Sequence, residues 1–252
     1  MYEKIQSKEC LNQGWNGKKK YQRSPNISNV IDFTNQVLSP CFVSFFLLTK
    51  EKKKKQLSAW VATKILEPDQ VRQRLKVLSY FVELAQRLRD LNNFNTCTSI
   101  MAALESSPVH RLKKVWEAFY DRRNHVLIGY YEDLLQLINA KGNYASYRRV
   151  LHAINPPVVP FLGVYLTDLT FIEDGNSDAL SDKRLINFDK RRKLSKSIEE
   201  IKMYQQAAYS FTDVVPIQNF LCAVRGLDER LLYKRSLEVE PREESTSDPP
   251  PS

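Results

Sequence analysis

Three carboxylates stand close together in the segment NPPVVPFLGVYLTDLTFIEDGN, residues 155–176. They are Asp168, Glu173 and Asp174, and paired carboxylates can act as general acid and base in hydrolysis. Neighbouring residues of a helix point in different directions, so Glu173 and Asp174 make a poor pair for that purpose. Their spacing gives a covalent hydrolytic mechanism little support.

Other patterns for covalent or nucleotide chemistry are absent from the sequence. It has no GxxxxGK[ST] loop to hold phosphates and no Gly-x-Ser-x-Gly nucleophile motif, so we expect no nucleotide pocket and no cofactor. The thiols and imidazoles are scattered, without a CxxC pair, which disfavours a zinc site and indicates reduced thiols of the cytosol. These residues are Cys10, Cys41, Cys97, Cys222, His110, His125 and His152.

The acidic segment is preceded by a turn that fixes its direction. Pro156 and Pro157 hold φ near a single value, so the turn is rigid and aims the following segment, as a protein needs when it inserts a helix into a partner. Elsewhere, apolar residues repeat at helical spacing and strict alternation over a long run is not found, which predicts a mostly α-helical protein. The repeats, which we interpret as core positions, are Val71, Leu75, Leu78, Val82, Ala85 and Leu88; Leu127, Tyr131, Leu134 and Ile138; Tyr147, Leu151 and Ile154; Leu194, Ile198 and Ile201.

Composition is that of a globular chain of 252 residues, with 42% hydrophobic residues, long enough for one large or two small domains. The net charge of +9 is compatible with nucleic acid, anionic lipid or an acidic protein as partner. Much of this charge lies in short runs at residues 18–20, 52–55 and 190–193, which we interpret as solvated faces. No apolar run reaches the roughly 18 residues that a membrane span requires.

Several sequence blocks, in the same order, resemble the catalytic domain of Ras-family guanine nucleotide exchange factors. The acidic segment and LINFDKRRK at residues 185–193 carry the resemblance most strongly. Three further blocks agree with it: LNNFNTCTSIMAALESSPVHRLKKVW at 91–116, NYASYRRVLHAI at 143–154 and SLEVEPR at 236–242. The family includes Son of sevenless and the Ras- and Rap-directed exchange factors.

The resemblance implies an all-α fold, a single catalytic domain with a protruding helical hairpin at about residues 167–206. It also implies exchange catalysis, in which GDP release from a small GTPase is accelerated without covalent chemistry. Thr170 and Asp174 would occupy the hairpin positions that project towards the metal and phosphate site, with Lys193 as a further catalytic position. The family often has a larger apolar residue at the first position and glutamate at the second, so both residues depart from the pattern.

The resemblance also implies a hydrophobic dock that receives an aromatic side chain of the GTPase. Its walls would be Ile31, Thr98, Tyr144, Phe161 and Phe188, where Thr98 replaces a more usual aliphatic residue. Arg111 and Lys193 would pair with acidic residues of the GTPase. The remaining positions matched to the GTPase surface are Trp15, Glu105, His110, Thr167 and Asp168. Asn155 and Asn187 would satisfy backbone groups of turns.

The expected domain covers residues 1–242, and residues 243–252 read as a disordered tail. The sequence starts in the middle of the family's early helical region, so the first helix is expected to be missing. Residues 38–57, LSPCFVSFFLLTKEKKKKQL, interrupt an expected helix with an unrelated composition. We interpret them as translated intron; a tolerated surface loop and an apolar, polybasic membrane-surface hook are the alternatives.

The expected partner is therefore a Ras-family small GTPase of the Ras or Rap type. We expect no nucleic-acid partner, and the sequence gives no evidence for a homo-oligomer. Membrane attachment would come only through the lipidated GTPase, so the chain would be cytoplasmic and recruited to the inner membrane face. Two alternatives remain: a non-catalytic scaffold of the same fold that binds a GTPase without opening it, and a basic helical module for RNA or acidic lipid.

Overall fold

The structure is a computed structural model and describes residues 51–180, 185–211 and 214–242. Within these residues the regular structure is helical, and two isolated β-bridges, Asn93 with Val159 and Ala179 with Ile186, are the exception. The all-α prediction is confirmed. The helices are α1 Glu51–Leu66, α2 Val71–Asp90, α3 Phe94–Leu104, α4 Ser107–His110, α5 Lys113–Phe119, α6 His125–Ile138, α7 Lys141–Ala153, α8 Leu162–Gly175, α9 Phe188–Tyr204, α10 Val215–Ala223 and α11 Glu229–Val239, with a 3₁₀ turn at Arg122–Asn124.

The core forms around α3, which α1 and α2 both contact. Helix α3 is buried along nearly its whole length, from Phe94 to Leu104. Helix α2 shows the predicted stripe: Leu78, Val82 and Ala85 are fully buried, Phe81 is buried beside them, and Tyr80 and Glu83 are exposed. Burying one such leucine or valine contributes about 1.5–3 kcal/mol, so the repeated stripe accounts for the position of α2. The stripes on α6 and α7 also face the core, whereas on α9 only Ile201 of the predicted stripe belongs to it.

The sequence LNN at residues 91–93 joins the core to the segment that precedes α8. The Asn93 side chain caps α3 by accepting a hydrogen bond from Thr96 N at 3.1 Å. Phe94 N donates to the Val159 carbonyl at 3.0 Å, and Val159 N donates back to the Asn92 carbonyl at 2.9 Å. The proline-rich segment is therefore fixed to the first turn of α3, and it aims α8 as the sequence predicts.

The C-terminal helix α11 packs on α1 and on the short helix α4. Arg111 Nη1 donates to the carbonyl oxygens of Ser236 at 2.6 Å and Glu240 at 2.8 Å. The side chain of Glu240 accepts from Lys114 N at 3.4 Å. Arg111 and Ser236 are 125 positions apart, so this contact joins the C-terminal helix to the middle of the chain.

Helix α1 begins at Glu51, inside the segment 38–57 that composition marks as foreign. The helix is continuous from there to Leu66, and Leu57 is buried in the core. The rest of that segment lies outside the described residues, as do the expected tail at 243–252 and the start of the chain. The interpretation of residues 38–57 as translated intron stays a prediction.

Candidate functional site

Helices α8 and α9 contact each other and run antiparallel. Near the start of α8, Tyr165 OH donates to Glu200 Oε1 near the end of α9, at 2.7 Å. Near the end of α8, the Glu173 carbonyl accepts from Lys190 Nζ near the start of α9, at 3.2 Å. Glu200 Oε1 also lies 2.9 Å from Nε2 of His152 on α7, so this contact attaches the α8–α9 helix pair to α7. Burial and the charge of Glu200 raise the pKa of Tyr204 to about 12.

Lys190 is the charged centre of this helix pair, and its side chain is only 2% exposed. Its ammonium group lies 3.0 Å from Asp178 Oδ1 and 3.4 Å from Glu173 Oε1, and Asp178 also pairs with Arg191 at 2.7 Å. The reading of residues 190–193 as a solvated face is therefore wrong at Lys190, because these carboxylates compensate the ammonium inside the protein.

Asn187 joins the start of α9 to the chain that follows α8. Its Oδ1 accepts from Lys190 N at 3.2 Å and caps α9, while its Nδ2 donates to the Ser177 carbonyl at 2.9 Å. Asn187 N donates to the Asp178 carbonyl at 2.8 Å. Asn187 satisfies turn backbone groups, as the sequence predicts.

Thr170 and Asp174 lie one helical turn apart on α8, and both are exposed. The Thr170 hydroxyl donates to the Leu166 carbonyl at 2.9 Å, so its methyl group is left for outside contacts. The neighbouring Phe171 is 67% exposed. This surface, called here the Thr170–Asp174 face, offers an apolar methyl and a carboxylate to a partner.

Two residues of the expected dock meet in the structure. The rings of Tyr144 and Phe161 form an edge contact, with centroids 5.8 Å apart. The Phe161 ring lies over Gly163, where a Cβ atom would come 2.5 Å from Phe161 Cζ. A side chain at this position would displace the Phe161 ring, so Gly163 leaves the ring room to lie there. Tyr144 and Phe161, called here the aromatic pair, are both half-buried.

The other residues expected to form the dock are Thr98, Phe188 and Ile31. Thr98 is half-buried on α3, and its hydroxyl donates to the Phe94 carbonyl at 2.6 Å. Phe94 packs against Tyr147, whose ring contacts Phe161. Phe188 begins α9 and is 76% exposed. Ile31 and Trp15 lie outside the described residues.

The expected GTPase contacts in the middle of α8 have partners inside the domain. The Asp168 carboxylate accepts both hydrogen bonds of Arg148 Nη2, at 2.8 Å each, and one from Asn143 Nδ2 at 3.2 Å. The Thr167 hydroxyl donates to the Gly163 carbonyl at 2.9 Å.

The residues matched at 105–111 also make contacts within the domain. Glu105 accepts a hydrogen bond from Tyr131 OH, and burial, followed by this bond, raises the pKa of Tyr131. The exposed His110 ring packs near Trp116, with centroids 6.5 Å apart. Arg111 holds the end of α11, as described above. Their roles in binding a GTPase stay predictions, and the structure adds an internal role for Arg111.

Lys193 lies on the exposed side of α9. Its Nζ is 3.1 Å from Asn176 Oδ1 and 3.2 Å from Asp189 Oδ2. Hydrogen bonds from Arg192 and then from Lys193 hold the pKa of Asp189 below its ordinary value. Lys193 thus spans from α9 to the residue that follows α8.

Sequence reasoning missed Arg148, Lys190 as a buried residue, and Glu200. Each contacts a residue at least 17 positions away, so local spacing held no signal for them. The buried Cys97 is chemically quiet, because burial raises the pKa of its thiol to about 12. Among the described residues there is no cluster of three or more metal-ligating side chains and no helix that is long and apolar enough to span a membrane.

Comparisons with known proteins agree with this architecture. The family model described as the RasGEF domain matches residues 1–192 of this chain. The chain is 38% identical over 240 residues to Ras guanine nucleotide exchange factor Y of Dictyostelium discoideum, covering 95% of this chain and 14% of the relative. It is 36% identical to Ras guanine nucleotide exchange factor J of the same organism, with 98% and 28% covered.

A fungal relative shows the same similarity. The chain is 36% identical over 252 residues to Cell division control protein 25 of Candida albicans, covering 97% of this chain and 17% of the relative. The chain thus spans no more than 28% of the length of these three relatives. Since the family model covers residues 1–192 of the 252, the chain belongs to the RasGEF domain family.

Proposed function

We propose that this chain is a guanine nucleotide exchange factor for a Ras-family small GTPase, of the Ras or Rap type. The observation that carries the proposal is the exposed Thr170–Asp174 face, held on an anchored helix pair in a chain of this family. Two of the relatives are named Ras guanine nucleotide exchange factors, which supports the same class of partner.

The proposed mechanism is differential binding. A GTPase holds GDP and Mg²⁺ through charged contacts, and a protein that binds the open, nucleotide-free state more tightly lowers the barrier to GDP release. The α8–α9 pair would act as the protruding hairpin. The methyl group of Thr170 and the carboxylate of Asp174 would then displace the metal and crowd the phosphate site, and no covalent bond changes.

The aromatic pair would supply the grip that this mechanism needs. An aromatic side chain of the GTPase would pack against Tyr144 and Phe161, with Thr98, Phe188 and Ile31 as further walls of the dock. Aromatic anchors carry a large share of interface energy, which is why a half-buried aromatic pair supports this reading.

The remaining matched residues would contact the GTPase around this centre. Lys193 and Arg111 would steer acidic groups of the GTPase, the other proposed contacts are Trp15, Glu105, His110 and Thr167, and Asp168 would support the same surface. We place the activity in the cytoplasm, at the inner membrane face, where the lipidated GTPase would be the membrane attachment.

The experiment is release of fluorescent GDP from a panel of Ras-type and Rap-type GTPases, with the full chain as catalyst. The wild-type chain should accelerate release from at least one GTPase. Asp174→Ala should lower that acceleration about tenfold, because the carboxylate acts only in the opened state. Asp133→Ala, which removes an exposed carboxylate of α6, is the matched control and should stay within about twofold.

Unchanged GDP release across the whole panel would contradict the proposal. Capture of nucleotide-free GTPase without any accelerated release would instead support a non-catalytic scaffold of the same fold.

A further inference from the structure

The backbone that carries Tyr144 is strained. Gly142, Asn143 and Tyr144 have φ values of 63°, 55° and 59°, so three consecutive residues are left-handed. Glycine adopts this conformation freely, asparagine tolerates it and tyrosine disfavours it. Such a turn persists only where surrounding contacts hold it, and residues held this way concentrate at functional sites.

Arg148, one turn further along α7, holds the turn from one side. Its Nε donates to the Asn143 carbonyl at 2.8 Å, while its Nη2 reaches both carboxylate oxygens of Asp168 on α8 at 2.8 Å. The guanidinium group therefore bridges the strained turn and α8. A planar group with several fixed donors suits this double contact, which a lysine ammonium could not reproduce.

Asp168 closes the arrangement from the other side. Its Oδ1 also accepts from Asn143 Nδ2 at 3.2 Å, so Asn143, Arg148 and Asp168 contact one another in a ring of hydrogen bonds, called here the Asp168 cluster. The side chains of Arg148 and Asp168 are 26% and 22% exposed. Partial burial reduces screening by solvent, so this ion pair is stronger than one at an open surface.

The turn at residues 142–144 is contacted by α8 and by the residue before it. Phe161 directly precedes α8, and Asp168 lies within the helix. Phe161 meets the Tyr144 ring and Asp168 meets Asn143. Thr170 lies about 200° around the helix from Asp168, so the Thr170–Asp174 face points elsewhere.

We propose that Asp168 is a positioning residue, which with Arg148 holds the left-handed turn at residues 142–144 so that Tyr144 completes the aromatic pair that grips the GTPase. This role rests on the proposed function and deepens it. It replaces the expectation that Asp168 contacts the GTPase directly. Loss of the cluster lets the turn relax and moves the Tyr144 ring away from Phe161, whereas the Thr170–Asp174 face keeps its position.

The role is tested by measuring GDP release as a function of GTPase concentration for Asp168→Ala, Arg148→Met and the double variant. Each single variant should raise KM about tenfold, since a partly buried charged hydrogen-bond pair is lost, and leave kcat within about twofold. The KM of the double variant should be no higher than that of either single variant, because each single substitution already removes the same cluster. The control is the exposed pair of α2, Glu83→Ala, Arg87→Met and their combination, which should leave KM unchanged.

A milder variant separates positioning from unfolding. Arg148→Lys keeps a positive charge near Asp168 but loses the bridge to the Asn143 carbonyl, so its KM should fall between those of wild type and Arg148→Met. Thermal denaturation is followed in parallel. A drop in kcat that tracks a loss of folded protein in every variant, with KM unchanged, overturns the positioning role.

Other results also overturn it. If Asp168→Ala raises KM as much in the Arg148→Met variant as it does in the wild-type chain, Asp168 contacts the GTPase directly. Wild-type exchange together with an unchanged KM in Asp168→Ala overturns the positioning role and leaves the proposed function standing. A wild-type chain that neither binds nor opens any GTPase overturns the proposed function and this role with it.

Discussion

Thr170 differs from a larger apolar residue in what it offers a partner. Its hydroxyl is satisfied by the Leu166 carbonyl, and only one methyl group is left to face outward. The side chain is exposed, so its size is not limited by packing in the free protein. If Thr170 acts as the apolar part of the inserted surface, its short reach limits the rate of exchange rather than the fold.

Thr170→Leu is therefore expected to increase kcat for GDP release severalfold, because a larger apolar group gains contact mainly in the opened state. The melting temperature should change by no more than about 2 °C, since an exposed helix position accepts leucine readily. Fluorescent-GDP release at saturating GTPase and a thermal melt measure the two quantities. An unchanged or lower kcat would argue that this position does not enter the GTPase site.

At the scale of elements, the α8–α9 pair depends on a charge inside the protein. Lys190 lies between the end of α8 and Asp178, and it contacts a backbone carbonyl as well as two carboxylates. A positive charge beside the C-terminal end of a helix is also favourable to the helix dipole. Lys190 thus fixes the part of α8 that carries Asp174.

Lys190→Met should lower the free energy of unfolding by about 3 kcal/mol, because the carboxylates of Glu173 and Asp178 lose a buried counter-charge. Urea denaturation measures this loss. Lys196→Met, at an exposed position of the same helix, is the control and should change stability by less than about 0.5 kcal/mol. Equal stability of the two variants would show that the Lys190 ammonium is dispensable for the helix pair.

At the scale of the whole molecule, the C-terminal helix α11 is held by contacts with the middle of the chain. Arg111 donates to the carbonyl oxygens of Ser236 and Glu240, and both of these residues are buried. The motif SLEVEPR therefore includes residues that attach α11 to the middle of the chain. This geometry gives Arg111 a structural role besides the expected contact with the GTPase.

Arg111→Met should lower the free energy of unfolding by about 2 kcal/mol, because two carbonyl groups lose a charged donor. Arg230→Met, which removes an exposed arginine of α11, is the matched control and should be close to neutral. Urea denaturation and the GTPase dependence of GDP release distinguish the two roles. A change in KM without any change in the free energy of unfolding would indicate that Arg111 contacts the GTPase.

The sequence by itself determined the helical class, the core stripes and the family. Apolar residues at helical spacing, such as Leu78, Val82 and Ala85, can only be buried together if the segment is a helix. The resemblance to the family also implied that Asn187 satisfies turn backbone groups, and its side chain caps α9.

Only the tertiary structure decided which polar residues support the site. Arg111 meets Ser236 across 125 positions, and Arg148 meets Asp168 across 20. Lys190 reads as one member of a charged run and is buried only because Glu173 and Asp178 converge on it. Pairings of this kind depend on how whole helices pack, and no local spacing encodes them, since hydrogen bonds and ion pairs act over a few ångströms in space.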